Sequence, residues 1–384
     1  MYFWYLIIFL GLLNGFGPFV IDMYLPALPE MSVVFHTSSA TIQLGLTFCL
    51  IGLAAGQLII GPISDKYGRK WPLTFSLVLY IAATIGCCYS TSIAFFNFLR
   101  FLQGLGAAGG IVISRSVATD LYSGKSLTKI IGMISAVNGL APIVAPVLGG
   151  FIAVWWGWRG VFFALLILGV VLLFADIPFK ESLQKGNRIE GDIVQLLKNY
   201  FTVIKIPGFS LYTLVFSLTM ATLFSYIAAA PLIIQKIYHF SEVHFSVIFA
   251  LNAVSVAIGS ILSIRLKSAQ SCTFIGIWIG VVGSFAGLVL ALTTDSFLGY
   301  LLPLILMLFG LGFLFTGSTT KAMAIGRHYA GVASAILGCL GFIFGGIASP
   351  LTTLGDIRIV SSALCFFFMM SALVLCWTID RKRY

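Results

Sequence analysis

The stretch GPISDKYGRKWPL, residues Gly61 to Leu73, places charged residues between two long apolar runs. The run on its N-terminal side, Thr41 to Ile63, contains no Asp, Glu, Lys or Arg, and neither does Pro72 to Ser90 on the other side. An α-helix rises 1.5 Å per residue, so about 20 apolar residues cross the ~30 Å hydrocarbon core of a bilayer. We therefore expect this stretch to be a charged loop that joins two membrane-spanning helices.

Apolar runs of this length recur along the chain. Of its 384 residues 60% are hydrophobic and 9% charged, with a mean hydropathy of +1.07, and so few charges cannot cover a soluble surface. The sequence predicts an all-α integral membrane protein with twelve spans: Trp4 to Leu28, Thr41 to Ile63, Pro72 to Ser90, Phe95 to Val117, Ile130 to Val154, Gly160 to Phe179, Phe209 to Gln235, Phe245 to Leu266, Phe274 to Thr293, Leu298 to Thr320, Tyr329 to Leu354 and Val360 to Ile379.

The seven cysteines lie inside or at the ends of these spans and show no CxxC spacing. They are typical of small core residues, so the sequence predicts no metal site and no cofactor. The net charge of +10 comes from basic residues in the loops that share one side of the membrane when the N-terminus is placed inside. The opposite side then holds only Arg159, Lys236 and Arg358, and two arginines, Arg100 and Arg115, lie within the fourth span. We expect both termini to be cytoplasmic and no nucleic acid to bind.

A charged segment at mid-chain separates six spans from six. It divides the chain into an N-terminal half (1–179), a cytoplasmic linker (180–208) and a C-terminal half (209–384). Ile193 to Ile204 within the linker is amphipathic and predicts a short interfacial helix, with a flexible tether as the alternative.

The two halves repeat one another at a nearly constant offset. Pro26 and Pro231 are 205 residues apart, Gly104 and Gly106 precede Gly310 and Gly312 by 206, and Pro146 precedes Pro350 by 204. Such a repeat indicates a duplication, and two parallel six-helix halves are one arrangement that secondary transporters use for alternating access. The sequence therefore predicts a transporter with two pseudo-symmetric halves.

Asp22 and Arg100 are charged residues inside spans, where each charge costs ~2.5 kcal/mol or more. Counted along their helices, both lie about 10 to 12 Å below the outer surface, so they could approach one another. Burial favours the protonated form of a carboxyl and a nearby arginine favours the ionised form, so relative movement of the two would change proton affinity. The pattern favours a proton-coupling role, and a permanent ion pair that orients two helices is the alternative.

The charged loop itself contains a compact cluster. Gly61 and Gly68 are expected to allow close helix approach and a tight turn, and Asp65 lies beside Arg69 and Lys70. Asp120 at the inner end of the fourth span could complete a network with Asp65 and Arg69. This network would hold the cytoplasmic side closed, and a solvated loop whose charges only set the topology is equally compatible with the residues.

The fifth span contains NGLAPIVAPVLGG, residues Asn138 to Gly150, with two prolines and three glycines in thirteen residues. A helix of this composition bends or packs very closely against a neighbour. Asn138 supplies a polar group there, which favours a bend beside a cavity over a plain kink.

These motifs together resemble a known family of transporters. The chain is similar to the twelve-helix drug:proton antiporters of the major facilitator superfamily, and specifically to the bicyclomycin and chloramphenicol resistance (Bcr/CflA) subfamily. GPISDKYGRK resembles the superfamily's loop signature, and FLRFLQGLGAAGG, residues Phe98 to Gly110, resembles the helix-four signature whose arginine is Arg100 here. LAPIVAPVLGG resembles the helix-five antiporter signature through Pro142, Pro146, Gly149 and Gly150, and IDMYLPALP, residues Ile21 to Pro29, resembles a subfamily element that carries Asp22.

Two positions depart from the family pattern. Some related transporters place a second acid about two turns before the position of Asp22, where this chain has Asn14. The second-half counterpart of the loop reads GSILSIRLKS, residues Gly259 to Ser268, which keeps Arg265 and lacks the acid. We therefore expect one membrane acid to carry most of the coupling and the cytoplasmic network to be asymmetric.

The resemblance also implies a substrate cavity lined by the first, fourth, seventh and tenth spans. Its candidate residues, besides Asp22 and Arg100, are Tyr24, Gln103, Asn138, Tyr226, Gln235 and Asn252. A mostly apolar cavity with a few polar groups suits small amphipathic drugs that are neutral or cationic. The expected partners are this substrate, protons and the lipid of a bacterial inner membrane, and we expect a monomer.

Other functions remain open on the same fold. A metabolite exporter would carry the same motifs, whereas an uptake symporter need not carry the helix-five signature. The four histidines fall in loops or at helix ends and no HExxH motif is present, so the sequence does not predict an enzyme. GxxxxGK[ST] is also absent, which indicates that an ion gradient or the substrate's own gradient drives transport.

Overall fold

The computed structural model describes residues 2–122, 124–184, 186, 188, 200–263, 265–266, 268–327 and 330–382. All regular elements in these ranges are helical. The first half contains α1 (Tyr2–Asp22), α2 (Leu28–Val34), α3 (Ser39–Tyr67), α4 (Lys70–Tyr89), α5 (Ile93–Leu121) and α6 (Gly124–Asp176). The second half contains α7 (Pro207–Pro231), α8 (Glu242–Ser263), α9 (Ala269–Thr293), α10 (Phe297–Ile325), α11 (Ala330–Leu351) and α12 (Ile357–Lys382).

Eleven helical segments of the described chain are long and apolar enough to cross a membrane. The 53 residues of α6 would measure about 80 Å if straight, which is more than one crossing needs. The helix is interrupted at Gly157, whose φ of 64° and ψ of −173° are not helical. Glu30 accepts a hydrogen bond from the Trp158 N–H at 3.0 Å and so caps the segment that follows. The break divides α6 into the predicted fifth and sixth spans, and twelve crossings result.

The first span differs from its predicted bounds. We expected a helix from Trp4 to Leu28, but α1 ends at Asp22 and continues as a 3₁₀ turn, Leu25–Ala27, and then as α2. Pro26 explains the end, because it has no N–H to donate to the Asp22 carbonyl and its ring would clash with that carbonyl. Asp22 is therefore the last residue of α1, where backbone carbonyls lack helical partners.

The chain divides into two compact units. One comprises Met1–Ile193 together with Glu242–Ser246, and the other comprises Val194–Ser241 and Val247–Tyr384. Most of the predicted interfacial helix lies outside the described residues, and residues 200–204 form a helical turn.

Close backbone contacts hold α3 against α5 in the first unit. A Cβ on Gly52 would lie 2.1 Å from the Phe101 carbonyl oxygen, and a Cβ on Gly104 would lie 2.1 Å from that of Cys49. Gly61, predicted to serve such an approach, does not, because its Cβ would meet only the Val112 side chain at an ordinary 3.7 Å. The glycines that these helices require lie one to two turns further into the membrane.

Glycines also allow the helices of the second unit to pack closely. A Cβ on Gly312 would lie 2.2 Å from the Val256 carbonyl oxygen of α8, and Gly310 faces Gly276 of α9. In the first unit the order is reversed, because Gly104 faces α3 and Gly106 faces α4. Glycines that are 206 residues apart in the two units therefore contact helices that do not correspond to each other.

Candidate functional site

The loop between α3 and α4 forms a buried charge network of Asp65, Arg69 and Asp120. Arg69 is 5% exposed and its Nε donates to Asp120 Oδ2 at 2.9 Å, while Nη2 donates to Asp120 Oδ1 at 3.2 Å. Nη1 forms an ion pair with Asp65 and donates to Ser64 Oγ at 2.9 Å. The structure thus brings together the three residues that the sequence suggested, which we call the loop network.

Arg69 keeps its charge within the loop network. Burial lowers the pKa of its guanidinium, but the hydrogen bonds and charges of Asp120 and Asp65 raise that pKa by more, to above the ordinary value for arginine. The bidentate contact with Asp120 is one that lysine cannot reproduce. The network therefore joins the C-terminal end of α5 to the start of α4 through a permanent cation.

The segment after α6 contacts the same loop, which the sequence did not predict. Glu181 accepts from the backbone N–H groups of Arg69 at 2.8 Å and Lys70 at 3.2 Å, so it caps the N-terminus of α4. Ser182 Oγ donates to Asp120 Oδ2 at 2.9 Å. Lys70 Nζ donates to the Phe179 carbonyl oxygen at 2.7 Å. The only sequence signal for this cap is that the first turn of α4 contains no acid of its own.

Gly68 leaves room for the Glu181 carboxylate to cap α4. Its φ of 97° lies in the left-handed region that disfavours other residues, and a Cβ there would lie 2.4 Å from Glu181 Oε2. The prediction of a tight turn at Gly68 is therefore confirmed, with a second reason for the absence of a side chain.

We predict that Glu181→Ala lowers the stability of the protein by about 1 kcal/mol, the typical cost of losing an N-terminal helix cap. The melting temperature in detergent, read from intrinsic tryptophan fluorescence, measures this loss. Lys180→Ala is the matched control, since Lys180 is exposed and has no hydrogen bond in the described part of the chain. Equal melting temperatures for the two variants would show that Glu181 does not stabilise α4.

Arg100 lies at the centre of a buried polar cluster formed by α1, α4 and α5. Its side chain is 0% exposed, and its Nη2 donates to the Val20 carbonyl oxygen at 3.0 Å. Its guanidinium carbon lies 4.2 Å from the ring centroid of Tyr24. Val20 is in the last turn of α1, where a free carbonyl and the negative end of the helix dipole both favour a cation. Arg100 thus caps α1.

A chain of side-chain hydrogen bonds orients Arg100. Nη1 donates to Gln103 Oε1, and Gln103 Nε2 donates to Thr84 Oγ1 at 2.9 Å. Gln103 and Tyr24 are both 0% exposed. These two residues, suggested to contact substrate, instead pack around the arginine in this structure.

Asp22 lies in the same region but does not pair with Arg100. Its side chain is 4% exposed and its Oδ1 has no hydrogen-bond partner in the part of the chain that the structure describes. Within the described residues no ion pair includes Asp22, and the ion pairs of this unit all lie in the loop network or at Glu181. The shared depth of Asp22 and Arg100 therefore does not produce contact, because Arg100 is held by the α1 carbonyl.

The helix-five motif lies in the first part of α6. The chain stays helical through Pro142 and Pro146, and the interruption comes later at Gly157. A Cβ on Gly149 would lie 1.8 Å from the Met23 carbonyl oxygen, so this glycine allows α6 to touch the chain just after Asp22. Gly150 follows it in α6, and the side chain of Asn138 lies outside the described residues.

In the second unit, two of the suggested cavity residues contact each other. Asn252 Nδ2 donates to the Tyr226 hydroxyl at 2.9 Å, and the Tyr226 ring stacks on Phe249 with centroids 5.6 Å apart. Gln235 lies in a π-helical segment, Leu232–Ile237. Tyr226 also lines a cavity of about 40 Å³ with Tyr300 and Arg358, which has room for water but not for a drug-sized ligand.

Comparison with known proteins identifies the family. The family model described as the Major Facilitator Superfamily matches residues 7–350. The chain belongs to this superfamily, and the resemblance drawn from its motifs is confirmed. Members of the family are transporters, so the protein is a multi-pass membrane transporter and not an enzyme.

Two of three relatives of similar length carry names that refer to drug resistance. The chain is 33% identical to the MFS-type transporter YdgK of Bacillus subtilis over 93% of this chain and 90% of that protein. It is 31% identical to a chloramphenicol resistance protein of Pseudomonas aeruginosa over 86% of this chain and 79% of that one. It is 29% identical to the bicyclomycin resistance protein homolog of Haemophilus influenzae over 95% and 96% of the two chains.

Solved transporter structures share the fold. A bacterial homolog of the human lysosomal transporter Spinster matches with a TM-score of 0.78 at 15% identity, over 98% of this chain and 96% of that one. The xylose transporter XylE of E. coli matches with a TM-score of 0.77 at 14% identity, over 98% and 97% of the two chains. The predicted all-α fold of the superfamily is therefore confirmed.

Proposed function

We propose that this transporter exports small amphipathic compounds across the bacterial inner membrane in exchange for protons, by alternating access. Asp22 carries the proton in this account, and both chain termini lie in the cytoplasm. The compounds are of the drug type that the relatives' names mention, chloramphenicol and bicyclomycin.

The observation that carries the proposal is the environment of Asp22. The carboxyl is buried, lies at the negative end of α1 and has no ion-pair partner within the described residues. An ionisable group at membrane depth is expensive and usually marks an ion or substrate pathway. A carboxyl in this setting can hold a proton and release it when water or a cation reaches it.

Arg100 has a conditional role in this cycle. It caps α1 through the Val20 carbonyl, two residues before Asp22 in the same helix. If the end of α1 moves, that contact breaks and the guanidinium becomes free to pair with ionised Asp22. Proton release would thereby be linked to movement of α1, because Met23, the residue just after α1, contacts α6 at Gly149.

The loop network fits a second part of the cycle. It joins α4 and α5 and, through Ser182, the segment that follows α6. Transport requires the helix ends of each half to move together, and a network of this kind keeps those of the first half in one arrangement.

Drug accumulation tests the proposal. An efflux-deficient bacterium that expresses the protein should accumulate less chloramphenicol than one with an empty vector, and a proton uncoupler should abolish the difference. A difference that survives the uncoupler would exclude proton coupling. If no compound of an amphipathic panel moves, drug export fails, and export of an endogenous metabolite becomes the better account.

A further inference from the structure

A second arginine of α5, Arg115, has no charged partner among the described residues. Its Nε donates to Asn14 Oδ1 of α1 at 3.2 Å, and it makes no other hydrogen bond in the described part of the chain. It forms no ion pair there either, since the acids of the first unit that do form ion pairs face Arg69 or Arg188. Within the described residues, neither terminal nitrogen of Arg115 has a hydrogen-bond acceptor.

This guanidinium lies deep in the membrane. The rings of Phe3 and Tyr122 are 6.5 Å apart, so α1 begins on the side where α5 ends. Asn14 is twelve residues from the start of α1, which places the amide about 18 Å from that side of a ~30 Å core. Side chains on a helix lean toward its N-terminus, and Arg115 accordingly reaches from its own backbone toward the membrane centre.

Arg115 also faces away from the lipid-exposed edge of the unit. Gly106 and Gly109 of α5 face Ser76 of α4, and α4 exposes Trp71 and Phe75 on its outer side. Arg115 follows Gly106 by nine residues, or two and a half helical turns, which is the opposite side of α5. Arg115 is an exposed residue although its contact with Asn14 is partly buried, and a charge at this depth favours a water-filled surface of the protein over hydrocarbon.

The neighbouring acids do not neutralise this charge. Asp120, nearest in sequence, uses both oxygens for Arg69. Asp22 is at the far end of α1, eight residues or about 12 Å beyond Asn14. Asn14 itself offers only an amide dipole, so the interior surface of this unit keeps a net positive charge at Arg115.

We propose that Arg115 and Asn14 form a substrate-contacting site that takes an oxygen acceptor of a neutral or anionic amphipathic compound and disfavours lipophilic cations. Arginine presents a planar fork of donors that fits carboxylate, nitro and carbonyl oxygens. The proposal rests on the proposed export function and narrows its substrate class, because composition alone had allowed cationic drugs as well.

Binding to the purified full-length protein in detergent tests the site. The probes are radiolabelled chloramphenicol, which is neutral with nitro and amide oxygens, nalidixate as an aryl carboxylate, and tetraphenylphosphonium as a lipophilic cation. Arg115→Gln should weaken binding of the two oxygen-bearing probes at least tenfold, and Arg115→Lys should weaken it less. Asn14→Asp should pair with Arg115, weaken the same two probes and allow tetraphenylphosphonium to bind.

Ser116→Ala is the control variant, since the one hydrogen bond of the Ser116 hydroxyl among the described residues is to the Val112 carbonyl of its own helix. If wild type binds chloramphenicol or nalidixate and Arg115→Gln binds them within twofold of wild type, the inference is wrong and the export proposal is unaffected. If wild type binds and transports only tetraphenylphosphonium, the substrate class is also wrong. If wild type neither binds nor moves any probe, the export proposal itself fails.

Discussion

Replacing Asp22 by asparagine is expected to abolish concentrative efflux, with a reduction of at least tenfold in the drug gradient that cells maintain. Asparagine has nearly the same shape but cannot accept and release a proton, so the energy of the proton gradient is no longer coupled to the substrate. Exchange of internal for external chloramphenicol across proteoliposomes should persist, because it needs alternating access but no net proton movement.

The matched control for this variant is Asp176→Asn. Asp176 is also a buried acid, but it lies at the end of α6 and accepts a hydrogen bond from Thr74 Oγ1. We expect this variant to keep proton-driven efflux. An Asp22→Asn variant that pumps as well as wild type, or one that loses exchange together with efflux at normal expression, would remove Asp22 from the coupling role.

Replacing Arg69 by alanine is expected to destabilise the protein by about 3 kcal/mol. Removing one partner of a buried ion pair leaves the other charge without compensation, and such changes typically cost 3 to 5 kcal/mol. Here Asp120 would lose its bidentate partner while its side chain is only 12% exposed. The expected readouts are a lower melting temperature in detergent and reduced abundance in the membrane.

A graded series separates charge from geometry in the loop network. Arg69→Lys keeps the charge but not the fork, so its melting temperature should fall between those of wild type and Arg69→Ala. Asp65→Asn should cost less than Arg69→Ala, because Asp65 is 38% exposed and solvent screens its charge. If Arg69→Ala has the same melting temperature as wild type, the loop network contributes nothing to stability.

The sequence predicts the spans and the loop network because both follow from strong, local signals. A run of about 20 apolar residues forms a helix when it crosses a bilayer. A charged cluster such as Asp65, Arg69 and Lys70 is too costly to place in the hydrocarbon core and therefore marks a loop. The turn at Gly68 follows from the same stretch. The superfamily could be recognised for the same reason, since its loop signature consists of residues whose spacing the helix ends dictate.

Contacts between distant segments could not be predicted in the same way. Arg100 was matched to Asp22 by depth, but depth says nothing about the free carbonyl of Val20, which exists only because Pro26 ends α1 early. Glu181 lies 112 residues from Arg69, and nothing near either residue indicates their contact. Arg115 was visible as a charge within a span, but its lack of an acidic partner among the described residues depends on how α1 and α5 pack.

Proton movement in proteoliposomes tests the central claim most directly. Vesicles that contain the purified protein and a pH-sensitive dye are loaded with chloramphenicol and diluted into drug-free buffer without an imposed pH gradient. The account predicts that chloramphenicol leaving through the wild-type protein drives protons in the opposite direction, and that Asp22→Asn shows no such pH change. Chloramphenicol movement through wild type without any proton movement, or an equal pH change in Asp22→Asn, would contradict it.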